Sequence, residues 1–286
     1  MNRMIQKLPT CLLLGLLPFS STMIMAEETD YDNDTNSSQS GGFFKLGIGY
    51  RFETTPYREE TNGIGVYIET GYQWENGLFI EAPGVTNKLS PGLTFGYNFY
   101  NTEHWSFDLI AQDSHGEINF YYNDDVSELK LERDSSHRGG LRATGTYDQN
   151  IIQFNITPFS DNDEYDDGLH ASLWLAKHWQ VKNWSIHASA GLEYRSEEIL
   201  DYYYGVSEES AIGPVSAYTA SSGVNTTYQV GADYPIAENW MFESYVRYTD
   251  LADSINNSPI LQLAVDIDKT RSDNITEAGF FINYVF

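Results

Sequence analysis

From Phe43 onward the chain alternates apolar and polar residues with a period of two. In NWSIHASAGLEYR, Trp184, Ile186, Ala188, Ala190, Leu192 and Tyr194 share one side. Ser185, His187, Ser189, Gly191, Glu193 and Arg195 share the other. Side chains alternate across a strand, so the stretch predicts a strand with one apolar and one polar face. VNTTYQVGADY repeats the pattern, and in WMFESYVRY Glu243 and Arg247 fall on the polar face. Twelve such segments are expected, near 43–53, 62–74, 78–83, 90–100, 103–113, 137–148, 149–159, 168–180, 183–196, 223–235, 239–250 and 274–286. Most approach the ~9–11 residues that cross a membrane as a tilted strand; the third is the shortest.

The connections sort by length. Those after segments 2, 4, 6, 8 and 10 are tight: ENG, NT, DQN, VKN and IAE. Those after segments 1, 3, 5, 7, 9 and 11 are longer, three of them beyond about twenty residues. Short turns at one end and long loops at the other predict an antiparallel transmembrane β-barrel of about twelve strands. The turns then face the periplasm and the loops the exterior. An even strand number brings both termini to the turn end. A soluble sandwich has no reason to sort its loops this way.

Composition is compatible with this architecture. The chain has 286 residues, a formal net charge of -25 and a mean hydropathy of -0.42. Residues 1–26 read as a signal peptide: Arg3 and Lys7 precede an apolar run from Leu12 to Phe19, and Ala26 offers a small cleavage residue. The one cysteine, Cys11, lies inside that segment, so the mature chain is expected to have no disulfide. Residues 27–42, EETDYDNDTNSSQSGG, predict a flexible acidic periplasmic lead-in. The barrel then spans 43–286. The acidity argues against nucleic acid, whose phosphates need clustered Lys and Arg.

Trp74, Trp105, Trp179, Trp184 and Trp240 flank the short turns; Trp174 alone sits mid-strand. Tryptophan favours the membrane interface, so the five predict a periplasmic aromatic girdle. In the closing stretch AGFFINYVF, Phe280, Ile282, Tyr284 and Phe286 share a face. With Gly279, they form the pattern expected of a barrel-assembly signal. A buried edge strand explains the alternation but not the terminal Phe286.

Several blocks resemble the MltA-interacting protein (MipA/OmpV) family of outer-membrane proteins. They are TPY at 55–57, LRATGTYD at 141–148, YYGVSEESA at 203–211, AYTASSGVN at 217–225 and LADSINNSPI at 251–260. The resemblance implies a non-enzymatic barrel in the outer membrane, in contact with lipid and lipopolysaccharide and inserted by the barrel-assembly machinery. It further implies a scaffold of the kind that links a lytic murein transglycosylase to a peptidoglycan synthase.

Other chemistry is weaker in the sequence. No cofactor motif is present. Of the six histidines, His178 and His187 flank one turn with Ser185 nearby, but this places them far from an outer-leaflet substrate. DNDEYDDG at 161–168 has the carboxylate density of a calcium loop without the closing Glu of an EF-hand, and a solvated loop is the simpler reading. Arg142, Glu193, Arg195, Glu243 and Arg247, with Thr144 and Thr146, predict charges paired across the lumen. A lumen of this width is either filled or narrowly open. The alternative to a scaffold is therefore a small solute channel, cation-preferring because its loops are acidic.

Overall fold

A computed structural model describes residues 40–84, 86, 92–123, 128–165 and 167–286. The expected signal peptide at 1–26 and the lead-in up to residue 39 lie outside the described residues. Twelve antiparallel strands close into a barrel. In chain order they are β1 (Gly41–Thr54), β2 (Thr61–Gln73), β3 (Leu78–Ala82), β4 (Thr94–Asn101), β5 (Trp105–His115), β8 (Ser136–Tyr147), β9 (Asn150–Ser160), β10 (His170–Val181), β11 (Trp184–Arg195), β12 (Gly223–Ala237), β13 (Trp240–Asp250) and β14 (Ile275–Val285). β1 pairs with β14, with Ile48 opposite Ile282, and closes the ring. The first strand begins at Gly41 rather than Phe43, so the last residues of the expected lead-in are wall.

The period-two pattern explains the inverted solvation of the barrel. Outward rows such as Leu46 and Ile48, or Phe280 and Ile282, are exposed apolar side chains. Inward rows carry Arg142, Gln153, Asn155, Glu243, Arg247 and Glu277, all buried. Closure satisfies the backbone without water, which a wall in lipid requires. Gly49 serves the closing seam: a β-carbon there would collide with the Phe280 carbonyl and the Phe281 ring. Gly77 has φ +87° in the first tight turn, a conformation open to glycine.

The long connections hold structure of their own. β6 (Ile118–Asn123) and β7 (Glu128–Arg133) form a separate hairpin between β5 and β8. α1 (Glu197–Tyr204) follows β11, and α2 (Asp253–Asn256) and α3 (Pro259–Ile267) follow β13. α1 buries Ile199, Leu200, Tyr203 and Tyr204, which recur at one-and-four spacing on one face. They pack with Tyr165, Ala220, Leu251, Ala252, Ile255 and Leu261. Full burial of a large apolar side chain contributes about 1.5–3 kcal/mol. The apolar core of the molecule is thus a cap at the loop end, not the barrel interior.

One part of the wall is low. β3 pairs with β2 only over Thr70–Gln73. Thr61–Glu69 of β2 pair with β1 on one side and with no strand on the other among the described residues.

Candidate functional site

The lumen is built in layers. Nearest the turn end, Lys45 Nζ reaches Glu243 at 3.0 Å and Glu69 at 3.2 Å. Thr86, beyond β3 in the chain, lies inside the barrel here. Thr86 Oγ1 donates to Glu243 at 3.2 Å, and its carbonyl accepts from Gln229 Nε2 at 2.6 Å. The Phe281 ring, 1 % exposed, meets Tyr67 edge-on at 4.5 Å. This layer joins β1, β2, β12, β13, β14 and Thr86.

Toward the loop end, Arg247 donates to Glu277 and to Gln229, each at 2.8 Å. Arg51 binds Glu277 and Glu53, and Arg58 binds Glu53. On the opposite wall Arg142 donates to Asp108 at 2.8 Å and to both oxygens of Glu81, with Phe79 under its guanidinium. Arg195 and His170 share Glu193, each at 3.0 Å. The five expected lumen charges therefore lie inside, but Glu243 and Arg247 do not pair with each other; each bonds residues of other strands. Register explains this. Glu243 and Arg247 stand four positions apart on β13, roughly 13 Å at the rise of a strand, while their cross-strand neighbours are nearer.

Above these layers a cavity of about 1750 Å³ reaches from the loop end down to Trp174 and Thr227. Trp174, the one mid-strand tryptophan, lines this vestibule. One side of it is the cap. Tyr204 OH lies 2.8 Å from His115 Nε2 and 2.9 Å from Tyr57 OH, and His115 stacks on Tyr203 at 3.7 Å. Tyr203 OH donates to the Asp134 carbonyl at 2.9 Å. Burial pushes both the Tyr203 and Tyr204 hydroxyls up from their ordinary pKa. Both stay neutral at physiological pH, which suits groups sealed into an apolar cap.

The remaining expected residues take the following places. Trp74, Trp179, Trp184 and Trp240 are exposed at the turn end, and Trp105 is half-buried there. They interlock with tyrosines: Trp105 Nε1 donates to Tyr147 OH at 2.7 Å, and Trp240 meets Tyr284 edge-on. Phe280, Ile282 and Phe286 face outward, and Phe286 N donates to the Phe44 carbonyl at 2.9 Å. His178 and His187 stand opposite each other in the β10–β11 ladder. His187 contacts Asp233 at 3.5 Å and Gln229 at 3.4 Å, with no serine in that set. Among the described residues, those of the 161–168 loop among them, no three His, Cys, Asp or Glu side chains gather as a metal-holding group; Asp166 of that loop lies outside the described residues.

Comparison with known proteins gives three findings. The family model described as MltA-interacting protein MipA matches residues 46–286. The MltA-interacting protein of Escherichia coli K12 is 23% identical over 230 residues, covering 77% of this chain and 84% of that protein. Outer membrane protein OmpV of Vibrio cholerae is 35% identical over 77 residues, 26% of this chain and 29% of that one.

Proposed function

Because the chain belongs to the MltA-interacting protein family, we propose that it is a non-enzymatic outer-membrane scaffold for peptidoglycan-remodelling enzymes. The observation that carries this reading is the filled lumen. Ion pairs, the Phe281 ring and Thr86 occupy the interior between the vestibule and the turn end. A barrel filled this way anchors and displays. In this reading the signal peptide is removed on export, the barrel-assembly machinery recognises the Gly279–Phe286 end, and the tryptophan girdle marks the periplasmic interface. Lipid and lipopolysaccharide surround the wall.

The family member from Escherichia coli is named for its interaction with MltA. We carry that interaction to this chain as binding of a murein transglycosylase, with a peptidoglycan synthase as the second enzyme held. The turns are short, and a stable interface buries ~1,200 Å² or more. The acidic segment up to residue 39 therefore shares the contact. The test is capture of a purified periplasmic murein transglycosylase by the full mature barrel in detergent. Retention of the enzyme, reduced when 27–39 is deleted and β1 left intact, is the expected result. Absence of retention by the intact protein contradicts the scaffold.

A solute channel is the second reading, and the vestibule is the observation that favours it. It predicts ion flow through a continuous water path.

A further inference from the structure

Trp174 is an inward residue of β10 at the floor of the vestibule. Directly across the ladder from it stands Gly191 of β11. A β-carbon on Gly191 would lie 2.5 Å from Cε3, 2.5 Å from Cζ3 and 2.7 Å from Cδ2 of the indole. Near-equal distances to three consecutive ring atoms place that point over the face of the ring, not beyond its edge. The indole therefore lies flat on the bare backbone of β11, an approach that only glycine permits. Its other face turns to the cavity. Two other inward rings rest on wall glycines, and both are covered. Phe79 lies against Gly96 and carries the Arg142 guanidinium at 4.8 Å; Phe281 lies against Gly49 and meets the Tyr67 ring at 4.5 Å. Trp174 has no ring or cation over it among the described residues, and its Nε1 donates to none of them.

The cross-strand neighbours of this ring are polar. Thr227 stands opposite Gly191, and Thr249 opposite Thr227; both line the cavity. Their hydroxyls bond each other at 2.9 Å. One donates, so the other keeps a proton to give, and both keep lone pairs. Two residues nearer the loop end, the Glu193 side chain is 24% exposed and also lines the cavity. Arg195 and His170 bond it at 3.0 Å, so its charge is offset and it serves a ligand as a hydrogen-bond acceptor rather than as a seat for a cation. A flat apolar face beside hydroxyls and a carboxylate matches a pyranose. That ring has a face of C–H bonds to lay on the indole and a rim of hydroxyls that both donate and accept. A planar aromatic ligand fits the indole but leaves the hydroxyl pair and the carboxylate unmatched. The cavity of about 1750 Å³ exceeds the ~300–1,000 Å³ of most single-molecule pockets, so it has room for a short chain of sugars.

We propose that the vestibule is a dead-end binding site for a neutral oligosaccharide entering from the loop end. One pyranose stacks on Trp174, with its hydroxyls on Thr227, Thr249 and Glu193. The sugar is either free in the medium or the outer sugar chain of lipopolysaccharide in the same membrane; the recognising chemistry is shared. This role is independent of the scaffold reading and stands or falls separately from it.

The probes are the neutral tetraoses of glucose, galactose, mannose and N-acetylglucosamine, each added to the full mature barrel in phospholipid nanodiscs. The readouts are tryptophan emission and saturation-transfer NMR of the sugar. The expected result is a saturable change with at least one tetraose, with saturation passing chiefly to the C–H protons on one face of a ring. Trp174→Leu keeps apolar volume but loses the flat face, and weakens that binding about tenfold. Thr249→Val removes a hydroxyl at constant shape and weakens it by a similar factor. Sorbitol, an open-chain polyol with no ring face, gives no saturable change. On the unmutated protein, an equal response to sorbitol, or no tetraose saturating below about 10 mM, overturns the site. That outcome does not hang on a variant folding. Discs that also hold lipopolysaccharide separate the two sources. An unchanged tetraose response there identifies free oligosaccharide as the ligand. Emission already at its bound value, with no further response to tetraose, identifies the lipopolysaccharide sugars.

Discussion

Replacing Arg142 with methionine is the sharpest probe of how dry the lumen is. Arg142 links three strands: Nε donates to Asp108 on β5 at 2.8 Å, and its two NH groups donate to Glu81 on β3 at 2.7 and 3.1 Å. The side chains of Arg142 and Asp108 are 10% and 4% exposed, whereas Glu81 is 36% exposed. Removing one partner of a buried pair leaves an uncompensated charge and costs about 3–5 kcal/mol. The Glu81 arm, a third exposed, contributes only about 0–1 kcal/mol because solvent screens it. The loss therefore comes mainly from Asp108, whose charge loses its ionic partner and keeps only the hydrogen bond from Asn98 Nδ2 at 2.8 Å. Arg142→Met is expected to lower stability by about 3–5 kcal/mol. Adding Asp108→Asn removes the orphaned charge and restores about half of that loss, because a neutral amide is cheaper to bury than an ion. The assay is urea unfolding of the refolded barrel in lipid vesicles, followed by tryptophan emission and by heat-dependent mobility in gels. A single-variant cost below about 1 kcal/mol, with no recovery in the double variant, refutes the filled lumen, since exposed pairs contribute no more than that.

Three further predictions follow from other parts of the fold. Gly49→Val places a side chain against the Phe280 carbonyl and the Phe281 ring and prevents closure of β1 on β14, so the protein fails to show the compact gel band of folded barrels. Tyr203 and Tyr204 have raised pKa values because the cap buries them, so their contribution to cap stability is complete below the unfolded tyrosine value near ~10 and is lost as pH climbs through their folded values. Tyrosinate absorbance should show these two ionising after the rest, together with new protease cleavage in 197–222; ionisation of every tyrosine in one step near pH ~10 contradicts the burial. Phe286→Ser removes the aromatic that packs at 4.7 Å on Tyr284 and is expected to reduce the amount of barrel in outer membranes without altering stability of the refolded protein; unchanged membrane levels remove the assembly role.

The wall was readable because each strand obeys one local rule. Outward apolar and inward polar residues alternate along most of NWSIHASAGLEYR and WMFESYVRY, and β13 accordingly buries Glu243 and Arg247 while Val246 and Tyr248 are exposed. Turn chemistry marked the strand ends, as at ENG, where Gly77 takes φ +87°. The cap was not anticipated. EEILDYYY carries a helical pattern of only two turns, too short to stand out beside long polar loops, and the helix depends on contacts with residues far along the chain. Three of the blocks that resemble the family, YYGVSEESA, AYTASSGVN up to the start of β12, and LADSINNSPI, lie in the cap. Tyr204, the Val206–Tyr218 bridge, Ser254 and Ser258 are joined there, with Ser258 Oγ donating to the Tyr204 carbonyl at 2.7 Å. The inward residues of the lumen were likewise legible from phase, whereas their pairings were not. Which carboxylate meets Arg247 or Lys45 depends on the stagger between strands, and that stagger is a property of the closed ring.

The central claim is that this barrel anchors rather than conducts. The direct measurement is ion current through single refolded barrels in a planar bilayer, with insertion confirmed by protease protection of the strands. A filled lumen predicts no steps above the bare bilayer in the unmutated protein. Steps appear only when Lys45, Glu69 and Glu243, the layer nearest the turn end, are all replaced by alanine. Reproducible steps from the unmutated barrel contradict the account and make the vestibule the mouth of a pore.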